Sequence, residues 1–198
     1  MTAKIIEVFS LPDNLIVSSL IETLMIFLTV LLAGFLMNLI NTALTNAMAS
    51  VIGQVPAFVI RNYLTYPGTV HHEFAHALFA FITGAKVLKI NLFPKGNALG
   101  SVELEPRGNL FLRSLQLSMS AIAPVVLGAS SLYILWFHVL SRLSEIWQYI
   151  LFWYFFISIL FHMCMSGADY ANFFKGLLPS TLMIFVVFLV LGAFGIIL

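Results

Sequence analysis

The sequence predicts an all-α polytopic membrane protein with about five hydrophobic spans and one small interfacial β-hairpin. Three observations carry that prediction. Of 198 residues, 61% are hydrophobic and only 9% charged, a balance that cannot coat a water-soluble globule. Apolar runs of membrane-spanning length recur along the chain. Part-way along, the apolar period changes once, from helical to alternating. A net charge of +1 gives no polyanion footprint and excludes nucleic acid as a partner, so the expected surroundings are the lipid bilayer. No polar stretch approaches the ~50 residues of a small soluble domain, and residues 1–198 read as a single integral membrane domain. Cys164 is the only cysteine, which excludes a disulfide framework and a thiolate metal site; it reads as a small buried apolar residue.

The first span is expected from about Leu15 to Ile40, and the stretch from Leu24 to Met37 is apolar apart from Thr29 and Gly34. No charged region followed closely by a cleavable apolar one precedes it, so it reads as a retained anchor, with Glu22 near its start reaching the interface. From Asn41 to Tyr66 the pattern weakens. Asn46, Gln54, Arg61 and Asn62 interrupt it and Pro56 and Pro67 punctuate it, which predicts an interfacial or broken helix. Pro67 suits the first turn of a new helix and Gly84 its C-terminal cap, placing His71 to Phe81 on one helical element.

The alternating stretch comes next. Leu88, Ile90 and Leu92 alternate with Lys89 and Asn91; after the turn-rich run Pro94, Lys95, Gly96, Asn97, residues Val102 and Leu104 alternate with Ser101, Glu103 and Glu105. This predicts a β-hairpin with one apolar face. Open strand edges do not survive facing lipid, so the hairpin belongs at the interface or against a watery cavity. A third span is expected from about Leu115 to Leu140, where Ser118, Ser120, Ala121, Ala123, Pro124, Gly128 and Ala129 permit close helix contact. A fourth, from Ile146 to Met165, is loaded with lipid-facing or interfacial aromatic residues, and a fifth, from Thr181 to Leu198, carries no charge.

The chemistry lies in His72, Glu73, Phe74, Ala75 and His76, which spell H-E-x-x-H. On a helix the two histidines share a face four residues apart, so both imidazoles reach one Zn²⁺, while Glu73 points at a water held there. Catalytic zinc sites use three protein ligands and leave one position open. The carboxylates after the motif are Glu103, Glu105, Glu145 and Asp169. The first two belong to the hairpin's polar face and Glu145 to a short loop at the opposite surface, which leaves Asp169. If the fourth helix continues, Asp169 shares a face with Ser166 and Asn172, at a depth matching His76. Two alternatives stand beside it. Ser166 and Asp169 can form a capping box instead, and His162, two turns before Asp169 on the same face, can compete as ligand. His71 points about 100° away from His72 and suits a hydrogen-bonding or supporting role; His138 suits an interface.

These residues resemble the site-2 protease family of intramembrane zinc metalloproteases. The resemblance rests on H-E-F-A-H, the run Ala77 to Gly84 into the hairpin, the pair Ala123 and Pro124, and Asp169; it covers about half the chain, residues 67–175. It implies a catalytic core over 67–178, zinc held by His72, His76 and Asp169, Glu73 as catalytic base, and the hairpin from Lys86 to Glu105 aligning a substrate. The family's usual L-D-G is replaced here, since Ala168 and Tyr170 flank Asp169. The implied function is hydrolysis of peptide bonds in transmembrane or membrane-proximal segments, with a zinc-binding membrane scaffold or transporter as the alternative. No peptide-binding regulatory domain fits this length, so substrate choice falls to the core or to a membrane partner. If the first, third, fourth and fifth spans cross and the zinc-bearing stretch also crosses, Lys4, Lys86, Lys89, Lys95, Arg107, Arg113 and Lys175 fall on one side and Arg61 and Arg142 on the other. The excess of positive charge predicts a cytoplasmic N-terminus and hairpin, in what is expected to be a prokaryotic cell membrane.

Overall fold

A computed structural model of the chain describes residues 14–93 and 100–196. Helix α1 runs Leu15–Ile52, its start fixed by Asn14, whose side chain accepts from the Val17 amide at 3.0 Å. At 1.5 Å per residue its 38 residues span ~57 Å, so it outruns the span expected to end at Ile40. Asn41 does not interrupt it. Its side chain is buried and donates from Nδ2 to the Phe161 carbonyl at 2.6 Å, and a polar group with a partner needs no loop. The helix breaks at Gly53, followed by a short α2 (Gln54–Val59) that passes into a π-helical turn, Ile60–Leu64.

Helix α3, Tyr66–Ile82, carries the H-E-x-x-H motif. Pro67 lies in its first turn and Gly84 just beyond its end, where the Ala85 amide donates back to Ala80 at 2.8 Å. Strands β1 (Lys86–Asn91) and β2 (Ser101–Glu105) follow as an antiparallel pair. The expected apolar face is corrected by a bulge: Val87 pairs with Leu104 and Ile90 with Val102, while the register slips between Val87 and Lys89. The extra residue turns Leu88 out of the set and brings Val87 and Ile90 to one face with Val102 and Leu104. The turn expected at Pro94, Lys95, Gly96 and Asn97 lies outside the described residues.

Helix α4, Leu110–Ile134, continues through a π turn and a 3-10 turn to Arg142. Helices α5 (Ile146–His162) and α6 (Gly167–Lys175) are separate, bent by 62° at the break between them. Helix α7 is Leu177–Ala193. The fold is therefore helical with one two-stranded sheet, but five spans are not found. Two helices among the described residues, Leu15–Ile52 and Leu110–Arg142, are long and apolar enough to cross a membrane, or three if α5 and α6 form one bent span. The shortfall has physical causes. The expected fourth span stops early, since α5 ends at His162 after 17 residues, α7 has 17 residues against the ~20 a perpendicular span needs, and α3 is the same length with three histidines and a glutamate on it.

Packing follows the small residues. Ala75 and Ala80 of α3 and Ala121 and Ala123 of α4 are almost wholly buried, and such small side chains let helix backbones close together. A core of Phe27, Leu115, Met119, Ile122, Val125, Met165 and Phe173 fastens α1, α4 and α6, with the Phe27 and Phe173 rings 5.7 Å apart. Gly68 seats α3 on α5, since a Cβ there would lie 1.9 Å from the Ser158 carbonyl oxygen. These contacts bring the motif helix, the proline of α4 and the start of α6 to one place.

Candidate metal centre

His72 and His76 project from one face of α3 with their Nε2 atoms 3.0 Å apart. Each ring is held by its other nitrogen. His72 Nδ1 lies 2.7 Å from the His162 carbonyl, and His76 Nδ1 lies 2.7 Å from the Ser120 carbonyl. A carbonyl only accepts, so both Nδ1 atoms carry the proton, and both Nε2 lone pairs face one point. Two lone pairs at that separation repel unless a cation lies between them.

Both carbonyls are free for a local reason. In a continuous helix Ser120 would accept from the amide of residue 124, but that residue is Pro124, inside α4 and without an N–H. Its oxygen accepts from His76 instead, and the Ser120 hydroxyl donates back to the His76 carbonyl at 3.0 Å. His162 is the last residue of α5, where helix carbonyls lack intrahelical partners. One histidine is thus oriented by a proline, the other by a helix end.

Asp169 completes the group. It lies on α6, not on a continued fourth helix, so matched depth along one helix does not bring it here; the α5–α6 break does. Its two oxygens divide the work. Oδ2 accepts from the Ser166 amide at 2.8 Å and the Ser166 hydroxyl at 2.6 Å, while the Asp169 amide donates to Ser166 Oγ at 3.2 Å, a complete capping box. Oδ1 is left 3.6 Å from His76 Nε2. Cap and ligand are therefore compatible readings of one side chain. Ligand atoms of His72, His76 and Asp169 all lie within 4.8 Å of one another, close enough to bind a metal. A tetrahedral site with bonds of ~2.0–2.2 Å sets its ligand atoms roughly 3.3–3.6 Å apart, so the donor set fits with small adjustment.

Around these atoms is a cavity of about 560 Å³, bordered by His72, His76, Asp169, Glu73 and β2. Glu73 is 5% exposed. Gly100 covers it so closely that a Cβ would stand 2.6 Å from its Cγ and Oε1. Val102 and Leu104 line the same cavity, so the apolar side chains of β2 border His72, His76 and Asp169. Asn172 and Ser166 also line it, with Asn172 Oδ1 accepting from Lys175 at 3.4 Å. His71 turns the other way, to Ser131 Oγ at 2.9 Å. His162 points its Nδ1 at the Ser158 carbonyl, 2.9 Å away, and reaches His72 through its backbone oxygen rather than its ring.

Three contributors were hidden from sequence reading. Ser120 reads only as a small packing residue, Pro124 only as part of a pair, and Gly100 not at all. The available signals were a proline four residues after a serine in an apolar helix, and a glycine just before a strand. No protein-family model, no curated protein and no solved structure matches the chain.

Proposed function

We propose that the chain is an intramembrane zinc metalloendopeptidase of the site-2 protease type, acting on transmembrane or membrane-proximal peptide segments. The observation that supports this most is the convergence of two Nε2 lone pairs and one carboxylate oxygen beside a buried glutamate, in a cavity bordered by a strand. Zinc bound in this donor set supplies Lewis-acid polarisation of a carbonyl and lowers the pKa of water toward ~7. His72, His76 and Asp169 would hold the ion, with Glu73 bordering the same cavity. Glu73 takes a proton from water and returns it to the leaving amine; zinc binding alone would not need this acid. A substrate helix must unwind before its carbonyl is accessible, and the outer edge of β2 pairs with the unwound segment, replacing its lost hydrogen bonds. With α3 as a short crossing between α1 and the hairpin, the protein works in a prokaryotic cell membrane with its N-terminus and hairpin cytoplasmic, and a membrane partner selects substrates.

Glu73→Gln tests the assignment. It should keep stoichiometric zinc and abolish cleavage of a transmembrane reporter, whereas His76→Ala should lose both. Unchanged cleavage by Glu73→Gln refutes the enzyme, and zinc retention without any cleavage by the native chain turns the reading toward a zinc-binding scaffold or transporter.

A further inference from the structure

Beyond the metal cavity lies a second one, of about 380 Å³, lined by Thr45, Asn46, Gln54, Phe58, Arg61 and Asn62 among others. Its chemistry is one-sided. Arg61 and three amide side chains offer hydrogen-bond donors, and no acidic residue lines it. Among the described residues no carboxylate lies within 4.0 Å of Arg61, whose guanidinium makes a single hydrogen bond, Nη1 to Thr45 Oγ1 at 3.3 Å. Arg61 Nε is buried without a partner, and so is Nδ2 of Asn62, a residue 2% exposed. A half-buried cation whose Nε has no partner and a buried Asn62 amide donor without an acceptor are costly as they stand, and an anion satisfies both at once. The guanidinium fork suits a phosphate oxygen pair.

Depth indicates where such an anion comes from. The apolar stretch of α1 from Leu24 to Met37 is centred near residue 31, and Thr45 lies roughly 14 residues beyond that centre, or ~21 Å along the helix. The hydrocarbon layer extends only ~15 Å from its midplane and the headgroup layer to ~20–22 Å. The cavity therefore stands at headgroup depth, with Val55, Phe58 and Val59 exposed on α2 beside it, an apolar rim for the acyl side of a lipid.

We propose that this cavity binds the phosphate of an anionic phospholipid, with Arg61 supplying the charge and Asn62, Asn46 and Gln54 the remaining donors. Arg61 also lines the metal cavity, so the lipid site and the metal site share a wall. The test uses the full-length chain in nanodiscs and native mass spectrometry, comparing retention of phosphatidylglycerol and phosphatidylcholine, with inorganic phosphate as a soluble competitor. Native protein should retain phosphatidylglycerol preferentially, and Arg61→Gln should weaken that retention roughly tenfold, as loss of one charge-assisted phosphate contact implies. Thr45→Val, which removes the one hydrogen bond holding Arg61 in place, should weaken it less, and gives an independent reading if Arg61→Gln fails to fold. Equal retention of the two lipids, or equal retention by native and variant proteins, overturns the proposal; displacement by millimolar phosphate without lipid preference assigns the site to free phosphate and overturns the lipid assignment.

Discussion

Replacing Pro124 with alanine should make the fold more stable and the metal site weaker. A proline inside a helix costs about 3 kcal/mol relative to alanine, so on helix energetics alone Pro124→Ala raises the unfolding midpoint. The same substitution adds an amide hydrogen four residues after Ser120, aimed at the oxygen that now accepts from His76 Nδ1 at 2.7 Å. Losing a supporting contact of this type lowers metal affinity about 10–100-fold. A carbonyl oxygen has two lone pairs, so the new amide competes without fully displacing the imidazole, and the lower end, about tenfold or ~1.4 kcal/mol, is expected. Zinc affinity is read by competition with a chromophoric chelator, and the ligand field by cobalt absorption. The control is an α-hydroxy acid at position 124, introduced by nonsense suppression. It has neither the ring nor the N–H, and should restore near-native affinity. An alanine variant that binds zinc as tightly as native protein refutes the role given to Pro124, as does an ester variant as weak as the alanine one.

Three further outcomes follow from the geometry. Asp169→Asn should lose most bound zinc after dialysis, whereas His162→Ala should keep it, because His162 acts through its backbone oxygen; the opposite pattern makes His162 the ligand. Gly100→Ala places a methyl 2.6 Å from Glu73 and should cut cleavage at least tenfold with zinc content unchanged, so native turnover would show that the hairpin does not set the position of this acid. Cysteines at Lys95 and Arg142 test orientation in intact cells, where a membrane-impermeant reagent should label Arg142→Cys alone, and labelling of Lys95→Cys contradicts a cytoplasmic hairpin.

Local information made the convergence of His72 and His76 legible, because a spacing of four on one helix is decided within five residues. Asp169 was reachable by elimination among few carboxylates, but the continued helix offered in its support does not exist. The capping signal of Ser166, which stood against ligation, marks the break that turns Asp169 toward α3. The hairpin was legible from alternation, whereas the bulge was not, since an inserted residue at Leu88 leaves the alternation along β1 intact. The span count failed at α3 and α7, where a sequence shows hydrophobicity but not where a helix stops. Gly100 and Ser120 act through neighbours 27 and 44 positions away in the chain, separations that no local pattern encodes.

The gap between α5 and α6 has a consequence for anyone who would transplant the motif. Copying H-E-x-x-H onto a regular helical bundle would reproduce the spacing of the imidazoles but not their aim, because unbroken helices keep every carbonyl engaged. Here the end of α5 presents two consecutive oxygens, Phe161 to Asn41 and His162 to His72, and the first turn of α6 delivers Asp169 across the same opening. A portable version of this centre must therefore carry its discontinuity with it: an interrupted helix, a proline in the facing one, and a polar side chain to occupy the oxygen the metal ligand does not use.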